Sequence, residues 1–141
     1  MSELIGKAGH KTLAVWAIDC AERVLPYFEQ EYPEDHRPRK ALEALRDWLS
    51  TGVFRMSVIR RASLDSHAAA RDTGGDNPAR SAARAAGQAA ATAHVPRHAY
   101  GSAIYAQQAI YRATGTSDAD TEAAKERDWQ QSRLMKLISR K

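Results

Sequence analysis

PARSAARAAGQAAATAHVPRHAYGSAIYAQQAIY, residues 78–111, is the stretch on which the folding of the whole chain turns. It reads as two helices joined at Pro96. From Ala82 to Ala93 nearly every position is alanine, interrupted by Arg84, Gly87, Gln88 and Thr92. Alanine is the strongest helix former, and its small side chain lets a neighbouring backbone come close. Gly87 costs about 1 kcal/mol relative to alanine inside a helix, so its presence predicts a close contact at that point. A helix with so little bulk supplies little core of its own. Residues 79–94 are therefore expected to form a thin central rod, gripped by helices that carry the Leu, Trp, Tyr and Ile.

Those helices follow on either side. Leu13, Trp16, Ala17, Cys20, Val24 and Phe28 recur at three- and four-residue steps, the stripe of a helix beginning near Lys11, with Pro26 expected to kink or end it. A second helix has Pro38 in its first turn, Ala41, Leu42, Leu45, Trp48 and Leu49 inward, and Gly52 as its stop. A third is expected from Val53 to Arg71, with Phe54, Val58, Ile59, Ala62 and Ala69 inward, before DTGGDNP breaks it. Asn77 or Asp76 caps the alanine helix, which ends at HVP. The fifth starts after Pro96, runs to about Ala113 and presents Ala99, Ala103, Ala106 and Ile110 beside Tyr100, Ile104, Gln107 and Tyr111, with Gly115 as its stop. The sixth is capped by Ser117 or Asp118, with Ala124, Gln131, Leu134, Leu137 and Ile138 inward and a polar first half expected to pack loosely. No run alternates in the strand period. The fold class is all-α: one domain over residues 1–141, with a core at 10–115 and a more peripheral helix at 118–139. Pro38-Arg39, Pro78-Ala79-Arg80 and Pro96-Arg97 each open a helix, and the first two lie 40 residues apart. About six helices as three antiparallel hairpins could then form a HEAT-like superhelix or a compact bundle.

Composition narrows the function. At 141 residues the chain can bury roughly two thirds of its unfolded surface without disulfides or metals. Cys20 is its single cysteine, expected to be buried, and the lack of a disulfide fits a reducing cytosol. MSELIGKAGHK has no apolar core of signal-peptide length, and no run nears the ~20 apolar residues of a membrane span, so a soluble cytoplasmic protein is expected. The net charge of +4 is uneven: residues 1–36 hold three Lys/Arg against seven Asp/Glu, whereas residues 37–112 hold twelve against five. That basic middle, mostly arginine, suits carboxylates or phosphates, or serves as a solvated face.

No phosphate-cradling loop or nucleophile turn occurs, so neither a cofactor nor catalysis is indicated. His94 and His98 stand four apart, a ligand spacing in an unbroken helix, but Pro96 lies between them. A metal or small-ligand site would draw on His67, His94 and His98; the plainer alternative is capping and interhelical hydrogen bonding. Alternating helix direction puts Asp35, His36, Arg37 and Arg39 at one pole with His67, Arg71 and Arg80, and puts His94 and His98 at the other end near Arg55. These residues are the candidates for contact with a partner. Helix starts attract anions, so the first pole could take a carboxylate or phosphate; alternatively Asp35 pairs with Arg71 or Arg39 as a strut. Nucleic acid is disfavoured, because Trp16 and Trp48 fall on inner faces. Trp129 lies off its inner stripe, as an exposed anchor for a partner or for a second copy in a homodimer.

DHRPRKALEALRDWLSTG at 35–52 and ARSAARAAGQAAATAHVPRHAYGSAIYA at 79–106, with WAIDCAERVLPYFE at 16–29 and HAAARD at 67–72, carry a resemblance. The chain resembles the all-helical immunity proteins of bacterial polymorphic-toxin loci. Gln88 and Tyr100 depart from that pattern, where a histidine and a small apolar residue are expected. The resemblance implies a small cytosolic protein that binds and neutralises a cognate toxin, without enzymatic activity.

Overall fold

A computed structural model describes residues 2–140, and all regular structure among them is helical. The helices are α1 (Ser2–Lys7), α2 (His10–Glu29), α3 (Arg37–Thr51), α4 (Met56–Asp72), α5 (Pro78–Ala91), α6 (His98–Thr114) and α7 (Ala119–Ser139). Six of the seven match the elements expected from periodicity. The addition is α1, a short helix that packs against α7.

The punctuation residues act largely as their chemistry dictates. Asn77 Oδ1 accepts the Arg80 N–H at 2.8 Å, so Asn77 is the cap of α5. Gly52 and Gly115 close α3 and α6 in the left-handed conformation, at φ 71° and 59°. Pro26 does not end α2, which continues to Glu29. Its missing N–H falls in the last turn, and its carbonyl still accepts from the Gln30 N–H at 3.0 Å. At α4 the expected start at Val53 is wrong. Thr51 Oγ1 takes the Val53 N–H, and Arg55 is extended, so the helix begins only at Met56. Phe54 and Val58, expected inside, are 42% and 51% exposed.

The alanine helix lies at the centre. Nine of its fourteen residues are buried, and it packs on α2, α3, α4 and α6. Because the rod is thin, short hydroxyls cross from its neighbour to its carbonyls. Ser66 Oγ donates to the Ala83 carbonyl at 2.7 Å and Ser63 Oγ to the Gly87 carbonyl at 2.9 Å. The large side chains come from α2 and α3, where Trp16, Phe28, Leu25, Leu42 and Leu45 are fully buried. In a linear repeat array each pair of helices would touch only the next. Here α2 packs directly on α6 and α7, so the arrangement is the compact bundle.

Helix α7 is attached by polar groups as well as by Leu134, Leu137 and Ile138. Its sealed residues are Ala119, Glu126, Gln130 and Leu134, so Gln130 rather than Gln131 faces inward. Gln130 accepts from Trp16 Nε1–H through its carbonyl at 2.8 Å and from Gln107 Nε2 through its side-chain oxygen at 2.8 Å. Its own amide donates to the Ala103 carbonyl at 3.0 Å. Glu126, whose side chain is 3% exposed, receives a two-pronged bond from Arg23. The Arg23 guanidinium in turn covers Trp129 at 3.7 Å. Trp129 is thus half-buried beneath an arginine and is not the exposed anchor expected from its position. Cys20 is buried beside this pair, and its thiol is pushed up chiefly by burial, then by Glu126 and Asp19.

Candidate functional site

Two groups of side chains matter. The first is the pole where α3 and α5 begin and α4 ends. Arg37 bonds Asp35 at 2.6 Å and Asp72 at 2.8 Å, joining the start of α3 to the end of α4. The Arg37 contact, more than any other, holds the Asp35 carboxyl below the usual carboxylate range. Asp35 therefore pairs with Arg37, and not with Arg71 or Arg39. Arg39 is taken by Glu29 at 2.6 Å, and Asp76 stands 3.5 Å from Arg112 and 4.0 Å from Arg80. Much of this pole is internally matched. His36 and Arg71 are exposed, and Arg71 forms no ion pair among the described residues.

The second group is a cleft of about 260 Å³ between α4, α5 and the start of α6. His67 belongs here, with His94 and His98, and not at the pole where helix direction alone would put it. Two glycines lie behind its side chains. A Cβ on Gly87 would lie 2.7 Å from His67 Nε2, and one on Gly101 would lie 2.8 Å from Gln88 Oε1. The contact expected from Gly87 is therefore with an imidazole. Arg84 Nη1–H donates to His67 Nδ1 at 2.9 Å, which leaves the His67 proton on Nε2. His98 Nδ1–H donates to Gln88 Oε1 at 2.9 Å. Apart from that bond, the Gln88 side chain makes no hydrogen bond among the described residues, so both its N–H donors are unengaged. Arg60, Met56, Ile59, Ser63, Leu64 and Ala91 complete the lining, which contains no Asp or Glu.

Both histidines are shifted toward the neutral form by their surroundings. Burial first, then the positive charges of Arg84 and Arg71, with His98 as a lesser cause, brings His67 down to about 4. His98 is lowered by burial, then by His94 and Arg97. The effect on stability has a definite sign. Between about pH 4 and the ordinary value of 6.5 the unfolded chain binds the His67 proton and the native protein does not. Stability is thus complete above pH 6.5 and declines as pH falls toward 4. Thermal unfolding should show the midpoint falling between pH 7 and pH 5, with a shallower slope in His67→Gln. An equal slope in that variant would mean that the imidazole does not titrate as described.

Beside the cleft runs an unusual surface. Val53, Phe54, Met56, Val58 and Leu64 are all large, apolar and exposed, and Phe54 stacks on His94 at 6.0 Å between ring centroids. Arg55, Arg60, Arg84 and Arg97 stand in or around this area with no carboxylate partner among the described residues. Periodicity missed this surface, although a signal was present. Phe54, Met56 and Val58 lie at two-residue steps, and three such positions cannot share one helical face. Among the described residues, no three His, Cys, Asp or Glu side chains are placed to hold a metal ion, and His67, His94 and His98 do not form such a group. No described helix is long and apolar enough to cross a membrane.

A family model described as "Imm-5 like putative immunity protein" matches residues 3–137. No curated protein and no solved structure matches the chain.

Proposed function

The chain belongs to the Imm-5 like immunity protein family, and from that premise we propose that it neutralises a cognate toxin by binding and covering it, with no catalysis of its own. The observation that carries the choice of surface is the apolar strip Val53–Leu64, which has Arg55 and Arg60 without ion pairs among the described residues and Glu43, Asp47 and Asp65 at its edges. Exposed apolar area of this kind marks a contact surface when it is contiguous and rimmed by polar groups. Arg55, Arg60 and Arg97 favour a partner with acidic groups on its rim. Complementary charge of that kind mainly speeds encounter and selects the partner. His36 and Arg71 lie toward the opposite end of α4 and remain exposed, whereas Asp35, Arg37, Arg39 and Arg80 are engaged within the bundle. The role places the protein in the cytoplasm of the toxin-producing cell, where Cys20 stays reduced.

Co-expression with the toxin encoded beside it is the test. The wild-type chain should restore growth. The Arg60→Glu/Leu64→Glu variant should not, although both residues face solvent and the fold should be kept. Growth arrest undiminished by the wild-type chain would overturn the proposal.

A further inference from the structure

We infer that the cleft between α4, α5 and α6 is a socket for one carboxylate side chain, an Asp or Glu, of the partner protein. The inference rests on the toxin-binding proposal and adds the chemistry of the contact. Three observations lead to it.

The first is the inventory of free hydrogen-bonding groups. His98 occupies Gln88 Oε1, so the Gln88 NH₂ has two donors to offer. His67 accepts from Arg84 through Nδ1 and turns its Nε2 toward Gly87, so it walls the cleft and adds no donor to it. Arg60 adds a guanidinium that has no ion pair there. The socket therefore presents donors and positive charge with no acidic side chain to satisfy them, which selects an anion.

The second is rigidity. The near-contacts of His67 with Gly87 and of Gln88 with Gly101 leave neither side chain room to swing toward the helix beneath it. Donors already held in place lose little freedom when a ligand arrives.

The third is position. Met56 and Leu64 line the cleft and also belong to the exposed apolar strip, and Phe54 lies against His94 at its edge. An acidic side chain entering here would be ringed by apolar contacts that exclude water, the setting in which a single charged group dominates an interface. A free phosphate would use the same donors but would leave that ring bare. A second copy of this chain would bring Arg55, Arg60 and Arg97 against their own counterparts, which repels.

Two measurements on the full-length protein test this. In the first, glutarate is the probe, followed through the His98 imidazole and Gln88 amide resonances. Saturable shifts at both, with His98 becoming easier to protonate, are expected. Unmoved resonances would overturn the socket. Inorganic phosphate run in parallel should compete weakly, and tighter binding of phosphate than of glutarate would overturn the carboxylate assignment. In the second, Gln88→Leu and His98→Phe are compared with wild type for affinity to the co-expressed toxin, with thermal midpoints confirming folding. Each should weaken binding roughly tenfold to a hundredfold. Full affinity in both folded variants would sink the socket while leaving toxin neutralisation standing. Failure of the wild-type chain to neutralise would sink the function itself.

Discussion

Trp16→Ala should lower the thermal midpoint by roughly 10–20 °C, for a loss of about 3–5 kcal/mol. The indole is entirely enclosed, at 0% exposure. Removing it opens a cavity at the junction of α2 with α7, and the flanking helices can close it only in part. It also removes the donor to the Gln130 carbonyl, leaving a sealed acceptor without that bond. Whole domains retain only about 5–15 kcal/mol, so this one change would consume a large share of the reserve. Trp48 supplies the comparison, because it is only half-buried beside His10. Trp48→Ala should cost clearly less. Circular dichroism through thermal unfolding measures both, and equal losses would mean that α2 does not carry the core.

Ala86→Leu is expected to have the second large effect, in the opposite sense of volume. On a helix wheel Ala82, Ala86 and Ala89 lie across from Arg80, Arg84 and Gln88, so they point into the bundle. Ala86 is 0% exposed on a rod packed against four other helices. Three added carbons have nowhere to go without displacing a neighbour, and overpacking of this kind costs about 1–3 kcal/mol and occasionally more. The hydroxyl bridges from Ser63 and Ser66 to α5 tolerate little of that displacement. Ala113→Leu, on the exposed side of α6, should change stability by less than about 0.5 kcal/mol. A neutral Ala86→Leu would show that the rod is not gripped as described.

How much of this was readable beforehand depends on the kind of residue. The alanine rod was legible because small side chains and an interior glycine have one economical explanation, close packing. The helix stops at Gly52 and Gly115 and the cap at Asn77 were legible because each answers a local backbone need. The inner face of α7 was not, since its stripe is partly polar: Glu126 and Gln130 face inward only because Arg23, Trp16, Gln107 and Ala103 meet them from distant parts of the chain. Helix direction grouped the arginines correctly at one pole but could not show that Asp72 and Glu29 satisfy two of them. The cleft was half visible. His67, His94 and His98 were candidates, yet the role of Gly101 and the neutrality of His67 depend on which atoms face each other. The start of α4 was misread because Gly52 turns the chain in the left-handed conformation, the Thr51 hydroxyl takes the Val53 N–H and Arg55 is extended.

The way α7 is fastened has one more effect. Greasy contacts tolerate sliding, since one methyl group replaces another with little loss. Directional bonds do not. Moving α7 along its axis by a single turn, about 5.4 Å, would strand the Glu126 carboxylate and the Gln130 amide in a dry interior with nothing to greet them. The last helix therefore has one permitted alignment, and the sequence spends hydrophobicity there to make every neighbouring alignment forbidden.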